Sequence, residues 1–242
     1  MKALLLAAGE GRRMRPLTLI YPKPCVPVGG VPLAVRQMAA LRAAGITDVV
    51  MNVAYGSRVA RGLLGDGKRF GVNLRYSVEG TCAESSLETL GGIVHALPLL
   101  EDSQDDAFLV VAGDILTDFD YRCLVARGRS LAAENLDAHL VLVPNPNYHA
   151  AGDMGINEKG RVCRTPRTHT FSSLGVYRTS LFKGLSDQRA SLFPWLWQAV
   201  EAGRVSGEIW NGAWFNVGDS DELRTAEQYL LAKQSEKNGK TA

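Results

Sequence analysis

Lys2-Ala3-Leu4-Leu5-Leu6-Ala7-Ala8-Gly9-Glu10-Gly11-Arg12-Arg13-Met14-Arg15-Pro16-Leu17-Thr18 changes character abruptly at Gly9. Residues 3–8 form a continuous apolar run, and 2–7 has the pattern of a strand buried on both faces of a parallel sheet. The run is too short for a secretory h-region of about 7–15 residues, and Glu10 and Arg12-Arg13 stand where a cleavage region belongs. In an open α/β sheet, ligands bind beyond the carboxyl ends of the strands, so the loop after residue 7 lies where a ligand should sit. Glycines let backbone N–H groups approach phosphate oxygens, and arginines add bidentate charged donors. Two common phosphate loops are excluded. The dinucleotide fingerprint needs a third glycine and an immediate helix, and a Walker loop needs G-K-[S/T]. Taken alone, the Gly-x-Gly reads equally well as a tight turn.

Outward from this stretch, residues 33–44 carry apolar side chains at helical spacing and end at Gly45, a suitable C-cap. Residues 48–53 form a second apolar strand and 57–64 a short helix stopped by Gly65. Residues 72–78 alternate as a strand with Val72, Leu74 and Tyr76 on one face. A polar loop over 79–86 leads to a helix near 89–99, and 107–112 is again a buried strand with Gly113-Asp114 at its end. This alternation predicts the α/β class, with a mostly parallel sheet flanked by helices. The second half is less regular. It reads as a helix over 121–134, a strand over 138–143, short antiparallel strands near 155–164 and 171–177, and an amphipathic helix over 192–202. Strands over 205–209 and 213–217 bracket Asn211-Gly212, a hairpin signal. A closing helix over 221–231 precedes a polar tail, 233–242, expected to fray. Without repeats, low-complexity segments or a linker, one domain is the economical reading of 1–242.

The chain has 242 residues, 46% of them hydrophobic, enough for a sizeable core. Lys and Arg number 27 against 25 Asp and Glu, and this near-neutral balance argues against a nucleic-acid or membrane-surface binder. No apolar run approaches the roughly 20 residues that span a bilayer. The four cysteines, Cys25, Cys82, Cys123 and Cys163, are dispersed, which suits reduced thiols in a cytoplasmic protein and no zinc site.

Pro22-Lys23-Pro24 holds a lysine between two φ-restricted residues. An isolated triplet of this kind is ordinarily a solvated surface lysine. Combined with L-A-A-G-x-G-x-R-M-x-P-L-T over 6–18, it resembles the signature of the sugar-1-phosphate nucleotidyltransferases, the pyrophosphorylase family that makes nucleoside-diphosphate sugars. The resemblance extends through Gly113-Asp114 to Trp214-Phe215-Asn216-Val217-Gly218. Within the family, the chain is most similar to the branch that uridylylates N-acetylmuramate 1-phosphate in peptidoglycan recycling. The stretches at 64–71, 75–80, 87–89, 145–149 and 205–208 carry that likeness. The resemblance implies a Rossmann-like, GT-A-like fold of the nucleotide-diphospho-sugar transferase type. About 1–117 would be a nucleotide-binding half and about 118–232 a sugar-binding half.

The implied reaction is attack by the sugar's anomeric phosphate oxygen on the α-phosphorus of UTP, expelling pyrophosphate. Two anions must meet, so the site must position them and neutralise charge. The resemblance implies catalytic roles for Arg15 on the triphosphate and Lys23 at the reacting phosphates. It also implies a nucleotide cradle from Ala8, Gly9, Gly11 and Arg12. Asp114 is implied as a magnesium ligand, its ordinary reading being a helix cap. Asn216 is implied as the second ligand, at a position where many relatives carry Asp. Uracil offers an N3–H between two carbonyls, so Glu79 is either its acceptor or a solvated loop charge. Thr89 is expected near the nucleotide, with Glu88, Gly91, Asn145, Asp153 and Ser173 on the sugar side. Trp195, Trp197 and Trp210 read as core. Asp219 and Asp221 read as the start of the closing helix.

Three positions depart from the branch. Thr81 to Ser86 is longer than the two residues usual there, which opens Glu84 as a substitute for Glu79. Leu90 replaces a small residue and threatens to crowd the nucleotide loop, and Asn216 is a neutral ligand. They leave two alternatives open: a different sugar 1-phosphate or nucleotide, and a non-catalytic binding protein on the same fold. Intact Arg15, Lys23 and Asp114 favour an enzyme.

Overall fold

Ala3, Leu4 and Leu5 are all fully buried, although successive side chains of a strand point to opposite faces. Their strand must therefore lie inside a sheet covered on both sides. The computed structural model describes residues 1–239. The first half runs β1 (Lys2–Leu6), α1 (Leu33–Ala43), β2 (Asp48–Val53), α2 (Ser57–Leu64), β3 (Asn73–Val78), α3 (Glu88–Leu100), β4 (Ala107–Ala112) and β5 (Ile115–Thr117). The second half adds α4 (Tyr121–Ser130), β6 (Ala138–Pro144), β7 (His169–Arg178), α5 (Leu192–Trp195), α6 (Trp197–Glu201), β8 (Val205–Ile209), β9 (Trp214–Asn216) and α7 (Ser220–Gly239). The main sheet has seven strands in the order β8-β6-β7-β4-β1-β2-β3. Only β7 runs against the others, pairing antiparallel with both β4 and β6. The sheet is mixed and mostly parallel, as expected.

Alternate residues of the central strands feed two cores. Leu5, Met51 and Leu109 pack with Met38 and Leu41 of α1 and Leu124 of α4. Leu4, Val50 and Val110 pack on the other face with Ile93 of α3, Phe182 and Leu196. A third cluster joins Met14, Val26 and Leu33 to Val217 and Ala226, so α7 is clamped against the segment that follows the glycine loop.

Four expectations from the sequence are corrected. The helix over 192–202 is two short helices, because Phe193 precedes Pro194 and adopts extended backbone (φ −99°, ψ 136°). The helix from Tyr121 stops at Ser130 and gives way to turns. No hairpin forms around Asn211-Gly212: β8 pairs in parallel with β6, and β9 pairs antiparallel with β5. Neither turn residue has the positive φ a tight hairpin turn needs. Gly212 instead lies against the Trp210 indole, where a Cβ would be 2.2 Å from Cζ2. The tail expected to fray from 233 continues α7 to Gly239, and residues 240–242 lie outside the described residues. Lys233 holds this end through Asp118 (3.3 Å) and the Tyr229 hydroxyl (3.0 Å).

Candidate active site

The carboxyl end of β1 is tied to both neighbouring strands. Ala7 N–H donates to Asn52 Oδ1 (2.7 Å) from β2, and Gly113 N–H, after β4, donates to Leu6 O (2.8 Å). Gly11 has φ 69°, and a Cβ there would lie 2.9 Å from Thr18 Cγ2, so glycine is required for the loop to turn. Between these strand ends lies a cavity of about 360 Å³. Its walls are Leu6, Ala7, Ala8 and Gly9 from the loop, Asn52, Ser86, Glu88, Thr89, Ala112, Asp114 and Ser173. Of the proposed nucleotide and sugar residues, Ala8, Gly9, Thr89, Glu88, Ser173 and Asp114 therefore meet here.

The cations stand beside the cavity, each matched to a carboxylate. Lys23 Nζ donates to Asp114 Oδ2 at 2.5 Å, a pair with side chains 13% and 28% exposed. Arg12 Nε and Arg15 Nη2 both reach the mostly buried Glu10, each at 2.5 Å. Two guanidiniums on one carboxylate leave the loop after Gly9 with net positive charge. Exchange of these carboxylates for phosphate oxygens would keep every donor satisfied.

Both carboxylate oxygens of Glu79 are hydrogen-bonded within the fold. Its Oε1 accepts from Asn52 Nδ2 (2.7 Å) and its Oε2 from Leu87 N–H (2.8 Å). It braces Asn52, which lines the cavity, and the backbone just before α3. Gly92 makes room for the brace, since a Cβ there would fall 2.6 Å from Glu79 Oε1. Ser85 Oγ donates to Cys82 O (2.7 Å) within the long loop and brings Ser86 to the cavity wall. Glu84 does not line the cavity.

At the start of α3, Glu88 has φ 59°, a left-handed backbone uncommon outside glycine. Ser191 Oγ and Arg189 Nε (3.1 Å) donate to its carboxylate and hold its pKa below the ordinary range. Leu90 points away from the nucleotide loop into the second core, so it crowds nothing there. Gly91 faces away from the cavity: its backbone abuts Gln188 O, which a Cβ would approach to 2.3 Å.

Ser173 is the junction of the site. It sits in the bulge where the register of β7 against β6 shifts between Phe171 and Leu174, with φ 62°. It borders the main cavity, an adjoining one of about 240 Å³, and a third of about 400 Å³. Asp153 lines the third cavity, its oxygens taken by His149 Nε2 (2.8 Å) and Phe171 N–H (2.9 Å). Asn145 lines none of these cavities. Its side chain instead bonds Arg167 O (3.2 Å) and Thr170 Oγ1 (2.9 Å), bracing the chain behind the third cavity. Trp195 and Trp210 pack on Phe182 and Phe119, as expected of core residues, whereas Trp197 borders the third cavity.

Asp114 is followed by β5, not by a helix, which removes its ordinary reading as a cap. Val217 N–H donates to Asp114 O (2.9 Å), so Asn216 is its close neighbour across the β5–β9 ladder. Among the described residues no group of three or more His, Cys, Asp or Glu is arranged to hold a metal. One carboxylate and one neighbouring amide nonetheless suit magnesium, which takes one or two protein oxygens and draws the rest from phosphates and water. Asp219 caps α7, accepting from Asp221 N–H and Glu222 N–H (3.1 and 3.0 Å), as its sequence context suggested.

Asn52 and Ser86 are cavity residues that sequence reasoning passed over. A lone asparagine inside an otherwise apolar strand was the available signal for Asn52.

The nucleotidyl transferase family matches residues 2–233. The N-acetylmuramate alpha-1-phosphate uridylyltransferase of Neisseria meningitidis serogroup B is 41% identical over 94% of this chain and 97% of its own length. A mannose-1-phosphate guanyltransferase of Gibberella zeae is 28% identical, covering 99% of this chain and 67% of that protein. In fold, the chain is similar to HddC from Yersinia pseudotuberculosis complexed with GMP-PN. The TM-score is 0.75 over 95% of this chain and 99% of HddC, at 18% identity.

Proposed function

The chain belongs to the nucleotidyl transferase family, and from that premise we propose that it transfers the uridylyl group of UTP to N-acetylmuramate 1-phosphate. The products are UDP-N-acetylmuramate and pyrophosphate. The observation that carries this choice over other sugars and bases is the 41% identity to the Neisseria uridylyltransferase across nearly the whole of both chains. On this reading the protein acts in the cytoplasm, in peptidoglycan recycling, with neither nucleic acid nor membrane as partner.

The attacking sugar phosphate is already an anion at neutral pH, so no general base is needed. Positioning and charge neutralisation supply the catalysis. The loop over 8–11 and Thr89 hold the nucleotide, and Glu88 and Ser173 hold the sugar. Lys23 brings a compact charge to the cavity edge, where the attacked α-phosphate belongs. Arg12 and Arg15 exchange Glu10 for phosphate oxygens of the triphosphate. Asp114 and Asn216 would hold magnesium, which when bound withdraws charge from the phosphates.

Pyrophosphate release by the purified protein, measured across UTP, CTP, GTP and dTTP with four sugar 1-phosphates, tests the proposal. The pair UTP and N-acetylmuramate 1-phosphate should give the highest kcat/KM. Higher values with glucose, mannose or N-acetylglucosamine 1-phosphate, or with another nucleotide, would overturn the substrate choice. Binding without turnover of any pair would mark a regulatory protein.

A further inference from the structure

The third cavity shares Ser173 with the main one, and its polar content is uneven. Asp153 is fully engaged by His149 and Phe171 N–H. Arg167, an exposed residue that also lines this cavity, forms no ion pair with a carboxylate among the described residues. The backbone that carries it is firmly placed. Asn145 Nδ2 donates to Arg167 O, and Gly152 (φ 60°) packs so close that a Cβ there would lie 2.7 Å from that oxygen. Phe171, Phe193 and Trp197 supply apolar surface opposite. An unpaired guanidinium next to aromatic walls is a receptor for a small group that carries both a carboxylate and a methyl.

N-acetylmuramate differs from N-acetylglucosamine by one such group, a lactyl ether with a carboxylate and a methyl. Resting on the substrate proposed above, we infer that Arg167 determines specificity by binding the lactyl carboxylate, with the methyl against the aromatic wall. The sugar ring then lies at Ser173, its phosphate toward Asp114 and Lys23 and its lactyl group toward Arg167. The planar fork of arginine matters here, since it presents two parallel N–H groups to a carboxylate, which lysine cannot do.

The test compares kcat/KM for N-acetylmuramate 1-phosphate with that for N-acetylglucosamine 1-phosphate, in the unsubstituted protein and in Arg167→Gln and Arg167→Lys. Loss of a charge-assisted hydrogen bond should lower the ratio of the two by about 10- to 100-fold in Arg167→Gln. Arg167→Lys should fall between. The lactyl methyl ester of the muramate substrate, offered to the unsubstituted protein, should show a similar loss. If Arg167→Gln slows both sugars equally, or leaves the preference intact, the assignment of Arg167 is overturned and the substrate stands. If the unsubstituted protein does not prefer N-acetylmuramate 1-phosphate to N-acetylglucosamine 1-phosphate, both the substrate and the assignment fall.

Discussion

Glu79→Gln keeps the size and shape of the side chain, yet it should be nearly as damaging as Glu79→Ala. Both carboxylate oxygens accept hydrogen bonds, one from Asn52 Nδ2 and one from Leu87 N–H, and both partners are donors with no freedom to become acceptors. Rotating the Asn52 amide would expose its oxygen to the glutamine but would forfeit the bond from Ala7 N–H. Glutamine can satisfy one donor only, and its own NH2 then faces the other. The loss of one charge-assisted bond beside the 2%-exposed Asn52 amounts to about 1.5–3 kcal/mol. At about 2–4 °C per kcal/mol for a domain of this size, melting should fall by roughly 3–12 °C. Thermal melting with kcat/KM for UTP and CTP separates bracing from base reading. Cytosine carries an acceptor where uracil carries N3–H, so a carboxylate that read the base would discriminate between them. A variant that melts like the parent but no longer distinguishes UTP from CTP would refute the bracing argument and restore Glu79 as the uracil acceptor.

Lys23→Met should reduce kcat by about 10²–10³, the effect of one electrostatic donor, while stability changes by no more than about 1 kcal/mol because Asp114 can hydrate. Unchanged kcat in pyrophosphate-release assays would reduce the lysine to a loop residue. Asp114→Asn should nearly abolish turnover, Asn216→Ala should raise the magnesium concentration for half-maximal rate, and Asn216→Asp should be tolerated. Full activity in excess chelator would refute the metal mechanism. Burial and then the charges of Asp219 and Asp221 raise the pKa of Glu222 above its ordinary value. The folded state thus binds this proton more tightly, so its stabilisation is present below the ordinary pKa and lost as pH rises through the raised one. Melting of Glu222→Gln should exceed the parent near pH 7 and show no such gain near pH 4; an equal gain at both would show that charge is not the cause.

Features with a local cause were legible in the sequence. The apolar run of β1, the glycines after it and the buried strand that ends at Asp114 depend on patterns within a dozen residues. They were enough for the α/β class and for the position of the glycine loop and Asp114 at the carboxyl ends of neighbouring strands. The break before Pro194 also has a local cause, the restriction that a proline places on the residue before it. Tertiary structure decided what depends on partners far along the chain. Glu79 looks like an exposed loop acid until Asn52 and Leu87 claim both its oxygens. The contacts of Asn145 with Arg167 O and Thr170, and of Gly91 with the Gln188 backbone, are also set by residues distant in sequence. Likewise β8 and β9 look like the arms of a hairpin, but ladders with β6 and β5 satisfy their backbones elsewhere. A polar side chain or strand edge goes to whichever partner the fold brings within hydrogen-bond distance, and no pattern of neighbouring residues records that partner.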